Sequence, residues 1–462
     1  MKTLGIFLFG LTLWARTPVK PTPNLTIPPS FQNLQASQGA AVSEKWWMEF
    51  GDPLLNELME KTAAANIDVK RAAARVAEAR AQEKSGKSAL LPNLDLNFAA
   101  SQVRGGVNQG VVRASSGSSF ISGFETGVVS TGLQSRWEAD VFGGLRREYA
   151  ATKADAVAAL NAREDVIRMA RADVARNYVE MRGYEDQLLV VREQARAERD
   201  LLELLRDRTQ AGLASQLDVE RQQSQVSNSE ARIPDLDALR LQAAYRIAVL
   251  LGDPPTALTP RLNDQSTGLK RPAIPESIPS DLLRRRPDLR RADEEINAAF
   301  ARAGAAHAEL YPKFSFTGQS GRQGVNLAGL AFGAGNFFSV GPTVSLPIFE
   351  GGRIRARIAA RQAQLDEAVH AYEGDVLAAF EETENALVAR DRSEQRERSL
   401  DQAVKSASES VELARELYIR GLGDFLSVLD AQREVFRAQQ DLAAARTAVL
   451  RSSVSLYRSL GL

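Results

Sequence analysis

The sequence predicts a mainly α-helical chain, duplicated in tandem, that also carries four β-strands of the membrane-barrel type. Three observations predict it. Two stretches, Leu145–Arg208 and Arg353–Ile419, contain no proline and are rich in Ala, Arg, Glu and Leu, residues of high helix propensity. Four shorter stretches alternate apolar and polar residues with a period of two. Finally, matching residues recur at a constant separation. Gly212, Leu213, Leu217, Val219 and Gln223 correspond to Gly421, Leu422, Leu426, Val428 and Gln432, 209 positions later, and the same shift carries Leu251-Gly252 onto Leu460-Gly461.

The duplication extends upstream in the same order. Leu90–Phe98 (L-L-P-N-L-D-L-N-F) is echoed by Leu310–Phe316 (L-Y-P-K-F-S-F), and Val141–Arg146 (V-F-G-G-L-R) by Ile348–Arg355 (I-F-E-G-G-R-I-R). The seam is a connector from Gly252 to about Ser280 in which Pro254, Pro255, Pro260, Pro272, Pro275 and Pro279 prevent regular helix. The expected organisation is a signal segment 1–16, an N-terminal segment 17–52, a first repeat 53–252, a proline-rich connector 253–279 and a second repeat 280–462.

Within each repeat the elements follow one another simply. Shorter helices are expected over about Leu54–Ser88 and Ser280–Glu309. Leu94, Leu96 and Phe98 then interleave with Asn93, Asp95 and Asn97. Leu133, Trp137, Ala139 and Val141 oppose Gln134, Arg136, Glu138 and Asp140. In the second repeat Phe314 and Phe316, then Phe338, Val340, Val344, Leu346 and Ile348, take the apolar positions. The Gly- and Ser-rich runs Arg104–Gly127 and Gly321–Asn336 read as long loops. Each long helix, roughly 95 Å at 1.5 Å per residue, ends at a glycine turn and reverses into a second helix, Ser215–Leu251 (interrupted near Pro234) or Asp424–Leu460.

Composition removes most enzyme chemistry. There is no cysteine, hence no thiolate nucleophile, disulfide or Cys-type metal site, and the two histidines, His307 and His370, cannot build a multi-histidine centre. Lys plus Arg and Asp plus Glu both total 58, so there is no basic surplus for a nucleic acid partner. The Gly-rich runs contain no phosphate-binding fingerprint. Glu381, Glu382 and Glu384 read as a solvated helical stripe rather than a catalytic set. No cofactor, metal or catalytic residue is expected.

The first residues, M-K-T-L-G-I-F-L-F-G-L-T-L-W-A, read as an export signal: Lys2, an apolar stretch to Trp14, and Ala15 as a small residue for cleavage. On helix pattern alone the chain could be a solvated coiled-coil rod or adhesin. The strands favour a pore. Each is near the nine to eleven residues that cross a bilayer, yet four cannot close a barrel, and open edges are not tolerated in lipid. Three copies would supply twelve strands, an even number in the range of known barrels, and twelve helical strands for a tube beyond them.

At this point the sequence resembles the outer membrane factors of bacterial tripartite efflux and type I secretion systems, and specifically the lipoprotein branch that serves multidrug efflux. The motifs are Trp46–Leu55 (W-W-M-E-F-G-D-P-L-L), Arg71–Ala81 (R-A-A-A-R-V-A-E-A-R-A), Leu282–Ile296 (L-L-R-R-R-P-D-L-R-R-A-D-E-E-I), Tyr311–Gly321 (Y-P-K-F-S-F-T-G-Q-S-G) and Leu346–Arg355 (L-P-I-F-E-G-G-R-I-R). They are spread over almost the whole chain. The resemblance implies a homotrimer, a twelve-stranded β-barrel in outer membrane lipid, and a periplasmic α-barrel tunnel belted by the N-terminal segment, the connector and the C-terminal end. It also implies a periplasmic adaptor and an inner-membrane, usually proton-driven, transporter as partners. The implied function is a passive exit duct for drugs, toxic compounds or metal ions, with a protein secretion duct as the neighbouring possibility. The branch usually carries a lipidated cysteine near the start. Here Trp14 stands near that position, so no thioether lipid is expected on this sequence: the barrel alone anchors the chain, or the natural start differs.

The resemblance also nominates residues. The reversals, Gly212, Leu213, Ala214 and Ser215 with Gly421, Leu422 and Gly423, look like the tips that meet the adaptor, beyond their role as helix caps. Leu426, Asp430 and Arg433 share one helical face by their spacing. They resemble the family's periplasmic constriction, with Leu426 as apolar plug, Asp430 as the ring acid and Arg433 as its pairing base. Asp424 and Asp218 are secondary candidates. An ordinary solvated ion pair is the alternative. Trp137, Phe142, Phe338 and Phe349 are candidate interface anchors or core residues.

Overall fold

The computed structural model describes residues 20–32, 43–105, 111–114, 117–120, 124–262, 268–273, 279–327 and 330–462. The expected signal segment and the Trp14 position lie outside them. A 3-10 helix, Trp46–Phe50, opens the ordered elements. It is followed by α1 (Pro53–Ala65), α2 (Ile67–Ser88), β1 (Asn93–Gly105), β2 (Val111–Ala114), β3 (Gly117–Phe120), β4 (Phe124–Ala139), α3 (Gly144–Gln210) and α4 (Gln216–Leu250). After the short α5 (Thr259–Leu262) the series repeats as α6 (Pro279–Arg285), α7 (Pro287–Ala308), β5 (Lys313–Leu327), β6 (Leu330–Ser345), α8 (Arg353–Ile419) and α9 (Phe425–Ser459).

The duplication is visible in the element bounds. α3 and α8 both have 67 residues, and both their first and last residues stand 209 apart; α4 and α9, of 35 residues each, keep that separation. α2 and α7, of 22 residues each, stand 220 apart. The difference is a longer inter-strand segment in the first repeat.

The chain forms two compact units, neither of which coincides with a repeat. One contains Glu78–Val157 and Glu294–His370 and holds all the strands. Its main sheet is antiparallel in the order β1-β4-β5-β6, leaving β1 and β6 as edges. The register places Leu96 opposite Leu133, Trp137 opposite Phe316, Phe314 opposite Val344 and Ser320 opposite Phe338. Paired residues share a face, so one face of the sheet carries Leu94, Leu96, Phe98, Leu133, Trp137, Phe316, Phe338, Val340 and Val344. These side chains remain exposed, Leu96 and Phe338 at 75%. The opposite face carries Asn93, Asp95, Asn97, Gln134, Arg136, Thr317, Gln319 and Ser339.

The strands correct two expectations. They are 13 to 16 residues long rather than nine to eleven, and the runs read as loops are largely paired. β5 and β6 continue to a Leu327–Leu330 pair, and β4 begins at Phe124. The small β2–β3 hairpin forms inside the remainder of the first run. Small polar residues lack the apolar signal of a strand, but the ladder needs only backbone groups. Here glycine is required: a Cβ on Gly321 would lie 2.2 Å from the Thr131 carbonyl oxygen, and the Phe337 ring covers both Gly321 and its partner Gly132.

The other unit contains Asn24–Ala77, Ala158–Asp293 and Ala371–Leu462. Its largest core joins Trp46, Trp47 and Phe50 to Leu55, Leu58, Met59, Val174, Tyr178, Ile247, Leu251, Leu262 and Tyr457. Trp46 stacks on Tyr457 at 5.0 Å. Asp52 caps α1 by accepting from the N–H groups of Leu54 and Leu55, and its other oxygen accepts from the buried Tyr178 hydroxyl at 2.6 Å. Burial, followed by the hydrogen bond to Asp52, pushes the Tyr178 hydroxyl well above its ordinary pKa.

Three helices also differ from expectation. Leu54–Ser88 is broken at Asn66, and Ser280–Glu309 at Arg286. Asn66 caps α2 through the Val69 N–H and donates from Nδ2 to the Leu250 carbonyl at 2.7 Å. Arg286 precedes Pro287, which disfavours helix at that position. It donates to the Ser459 carbonyl at 3.0 Å, the repeat counterpart of Leu250. Conversely, α4 runs through Pro234 without a break. One lost N–H is tolerated because Val226, Ala243, Ala244 and Ile247, on either side of it, are buried.

Candidate functional site

The helix reversals close with the same bonds in both repeats. Leu213 N–H donates to the Arg208 carbonyl at 2.8 Å and Gly212 N–H to Thr209 at 3.0 Å; Leu422 donates to Leu417 at 2.9 Å and Gly421 to Tyr418 at 3.1 Å. Gly212 and Gly421 have φ of 73° and 72°. This is the Schellman arrangement, in which the left-handed residue is glycine because a Cβ there is penalised. The leucine that follows usually packs back on its helix, yet Leu213 and Leu422 are 68% and 73% exposed. Leu217 and Leu426, also repeat counterparts, are exposed one turn further on. The reversals therefore present four leucines to the surroundings.

The helices that leave these turns are capped with exchanged chemistry. Ser215 caps α4 and receives the Asp218 N–H, whereas Asp424 caps α9 and receives the Ser427 N–H at 2.9 Å. The serine hydroxyl bonds the aspartate in both pairs. Asp424 and Asp218 are thus engaged locally. The Ser427 hydroxyl and N–H hold the Asp424 carboxyl below its usual range.

Leu426, Asp430 and Arg433 lie along α9 as their spacing requires. Asp430 and Arg433 approach to 3.9 Å, both with exposed side chains, and Arg433 Nε donates instead to Gln225 Oε1 on α4 at 3.1 Å. An exposed pair at this distance contributes little within one chain. Beneath it, Leu202, Leu205, Val219, Val226, Phe425 and Leu429 form a small core, with Tyr418 edge-on to Phe425.

The acidic stripe on α8 was expected to be solvated, and two of its members are instead half-buried and bonded. Glu382 accepts from Arg286 at 2.8 Å and from Arg458 at 2.7 Å, while Glu384 accepts the Gln32 N–H. Arg286, buried, also holds Asp288 at 2.7 Å. Burial works to raise both carboxyls, but the hydrogen bonds and charge of Arg286 outweigh it, leaving Asp288 and Glu382 below the usual carboxylate range. The basic run L-L-R-R-R-P-D was the available signal: a proline-defined break with an arginine before it and an aspartate after it. Of the aromatic candidates, Trp137 donates from its indole to the Leu90 carbonyl and stacks on Phe316, and Phe142 stacks on Tyr311 at 4.7 Å. Phe338 and Phe349 are exposed. Among the described residues, no helix is long and apolar enough to cross a membrane, and no cluster of acidic or histidine residues is suited to a metal ion.

Comparison with known proteins agrees with this architecture. The pyoverdine export outer membrane protein OpmQ of Pseudomonas putida is 30% identical over 96% of this chain and 94% of its own length. Nodulation protein T of Rhizobium leguminosarum bv. trifolii is 31% identical over 92% and 89%. The solved outer-membrane channel OprN superposes with a TM-score of 0.84 at 30% identity, covering 96% of this chain and 98% of that one. The outer membrane efflux protein family matches residues 58–253 and 278–462, in two segments. The chain belongs to the outer membrane efflux protein family, and its four-stranded sheet and paired long helices are those of an outer membrane channel.

Proposed function

We propose that the chain assembles as a homotrimer and serves as the passive exit duct of a tripartite efflux pump, carrying small molecules across the periplasm and outer membrane. The carrying observation is the sheet. Its apolar face is exposed and its edges, β1 and β6, are unpaired within one chain. The apolar face suits lipid, but the open edges are not tolerable there unless β1 of one copy pairs with β6 of the next. Three copies close a twelve-stranded barrel, and their long helices supply a twelve-membered tunnel.

In this reading the exposed leucines at the Gly212–Ser215 and Gly421–Gly423 turns dock a periplasmic adaptor, which couples the duct to an inner-membrane, proton-driven transporter. Leu426 narrows the tunnel, Asp430 forms a ring of carboxylates that attracts cations, and Arg433 ties that ring to α4 through Gln225. Asp424 shapes the same constriction by fixing the start of α9.

The test is deletion of the protein in a cell that retains its cognate pump. Lower tolerance of apolar drugs or metal ions is expected; unchanged tolerance, or loss of a secreted protein instead, contradicts the reading. In a planar bilayer, Asp430→Ala should reduce cation preference while preserving conductance.

A further inference from the structure

Because the chain is duplicated, each groove has a counterpart with which it can be compared. In the second repeat the groove along α8 is filled by the segment Asn24–Gln32. The Asn24 N–H donates to Glu373 Oε1 at 2.8 Å, and the Gln32 N–H donates to Glu384 at 2.7 Å. Leu25 packs against Leu289, Val376 and Ala379, with Tyr372, Phe380 and Leu283 around it. The groove thus holds a polypeptide by carboxylate-to-backbone bonds and an apolar pocket.

Moving back 209 positions along α8 and 220 along α6 and α7 gives the matching groove of the first repeat. Glu373, Val376 and Leu283 become Glu164, Ile167 and Ala63, and these three line one cavity of about 680 Å³. The apolar positions change sign of chemistry. Tyr372 and Phe380 are replaced by Arg163 and Arg171, of which Arg171 lines the cavity together with Arg168. The facing wall supplies Arg284, Arg285 and Arg290.

Several of these guanidinium groups are incompletely satisfied. Arg171 lies over the Trp47 ring at 4.9 Å and has no carboxylate within ion-pair distance among the described residues. Burial depresses its pKa, against the opposing charge of Glu60. Arg285 comes no closer than 3.7 Å to Asp281, which Arg284 already binds at 2.8 Å. Nε of Arg163, Arg171 and Arg290 and Nη1 of Arg285 are buried without a hydrogen-bond partner. Arg168 and Arg290 do have carboxylates, Asp165 and Glu164, so the unmet demand is concentrated at Arg171 and Arg285. A buried guanidinium lacking an acceptor is unfavourable, and a carboxylate fits its forked donors.

We propose that this arginine-walled groove docks an acidic, extended segment of a partner protein. The counterpart groove shows that a polypeptide seats at this place of the repeat; here Arg290 takes Glu164 and Ala175 replaces Glu384, so recognition passes from backbone-holding carboxylates to the arginines. The chain's own segment of that kind is already seated there, and the replacement of tyrosine and phenylalanine by arginine selects carboxylates where Leu25 sits in the other copy. The proposal is independent of the duct reading.

The test uses the intact protein in detergent and a fluorescein-labelled hexaglutamate peptide, followed by anisotropy, with hexalysine as control. Hexaglutamate should bind, and Arg171→Ala or Arg285→Ala should weaken it at least tenfold. Ala63→Glu, which places a carboxylate in the cavity while keeping every arginine, should block binding in a protein of unchanged assembly mass. Absence of hexaglutamate binding overturns the proposal. So does displacement by inorganic phosphate at equal concentration, which would make the cavity a small-anion site. Loss of assembly in Arg171→Ala with peptide binding unaltered would assign the groove to a neighbouring copy and also overturn it.

Discussion

The helix breaks at Asn66 and Arg286 meet one geometric demand with different chemistry. Each precedes the second helix of a pair, each accepts the same backbone bond from four residues ahead, and each reaches across to the end of a returning helix, at Leu250 or Ser459. Both receiving helices then turn through a left-handed glycine, Gly252 or Gly461. At Asn66 a neutral amide does this alone. At Arg286 the same reach brings a buried cation, which recruits Asp288 and Glu382. Duplication fixes the backbone requirement and leaves the side chain free, provided that its own polar groups are satisfied.

The strongest way to break this comparison is to remove each side chain. Arg286→Ala should destabilise the protein by about 3 kcal/mol, because it removes a buried cation that holds two half-buried carboxylates. Asn66→Ala should lose about 1–2 kcal/mol, the scale of a buried hydrogen bond and a cap. Urea titration of the solubilised protein measures both, and equal losses would show that charge plays no part.

Acid should separate the two breaks next. Folded Asp288 and Glu382 hold their protons less tightly than in the unfolded chain, so their contribution is present above the ordinary carboxylate range. It is lost as pH falls through the lowered folded values. The deficit of Arg286→Ala should therefore shrink as pH falls below about 4, whereas that of Asn66→Ala should stay flat. A pH-independent deficit in both would contradict the ionic account.

The glycines sharpen the backbone half of the argument. In Gly252→Ala the new Cβ lies 2.8 Å from the Ala65 carbonyl oxygen, and in Gly461→Ala it lies 3.0 Å from the Arg286 nitrogen, both at positive φ. Each should lose about 1–2 kcal/mol from the left-handed conformation alone, with Gly252→Ala the larger by its closer contact. Thermal unfolding of the two variants tests this, and a neutral Gly252→Ala would contradict it. The smallest effects belong to the exchanged caps. Ser215→Ala and Asp424→Ala should each loosen the start of their helix, read as faster amide exchange in the first turns of α4 and α9.

Much of this molecule was legible in its sequence because its strongest signals are periodic. The 209-residue recurrence gave the repeats, Leu94, Leu96 and Phe98 gave a strand face, and Gly212 and Gly421 gave the reversals. Signals that depend on partners distant in the chain were not legible. Glu382 reads as one of three solvated acids until α6, α7 and α9 bring Arg286 and Arg458 to it. Gly321 reads as loop until Thr131 and Phe337 show why no larger residue fits. Pro234 reads as a break because propensity is local and packing is not. Leu426, Asp430 and Arg433 lie between these cases: their common face follows from spacing, but the Arg433–Gln225 bond spans two helices and could not be read from either.

In the proposed trimer, one chain cannot complete its own barrel. The most direct test is the native mass of the protein extracted in detergent from isolated outer membranes. A mass near three chains is expected; a monomer, or a chain recovered only from the soluble periplasm, would contradict the shared barrel.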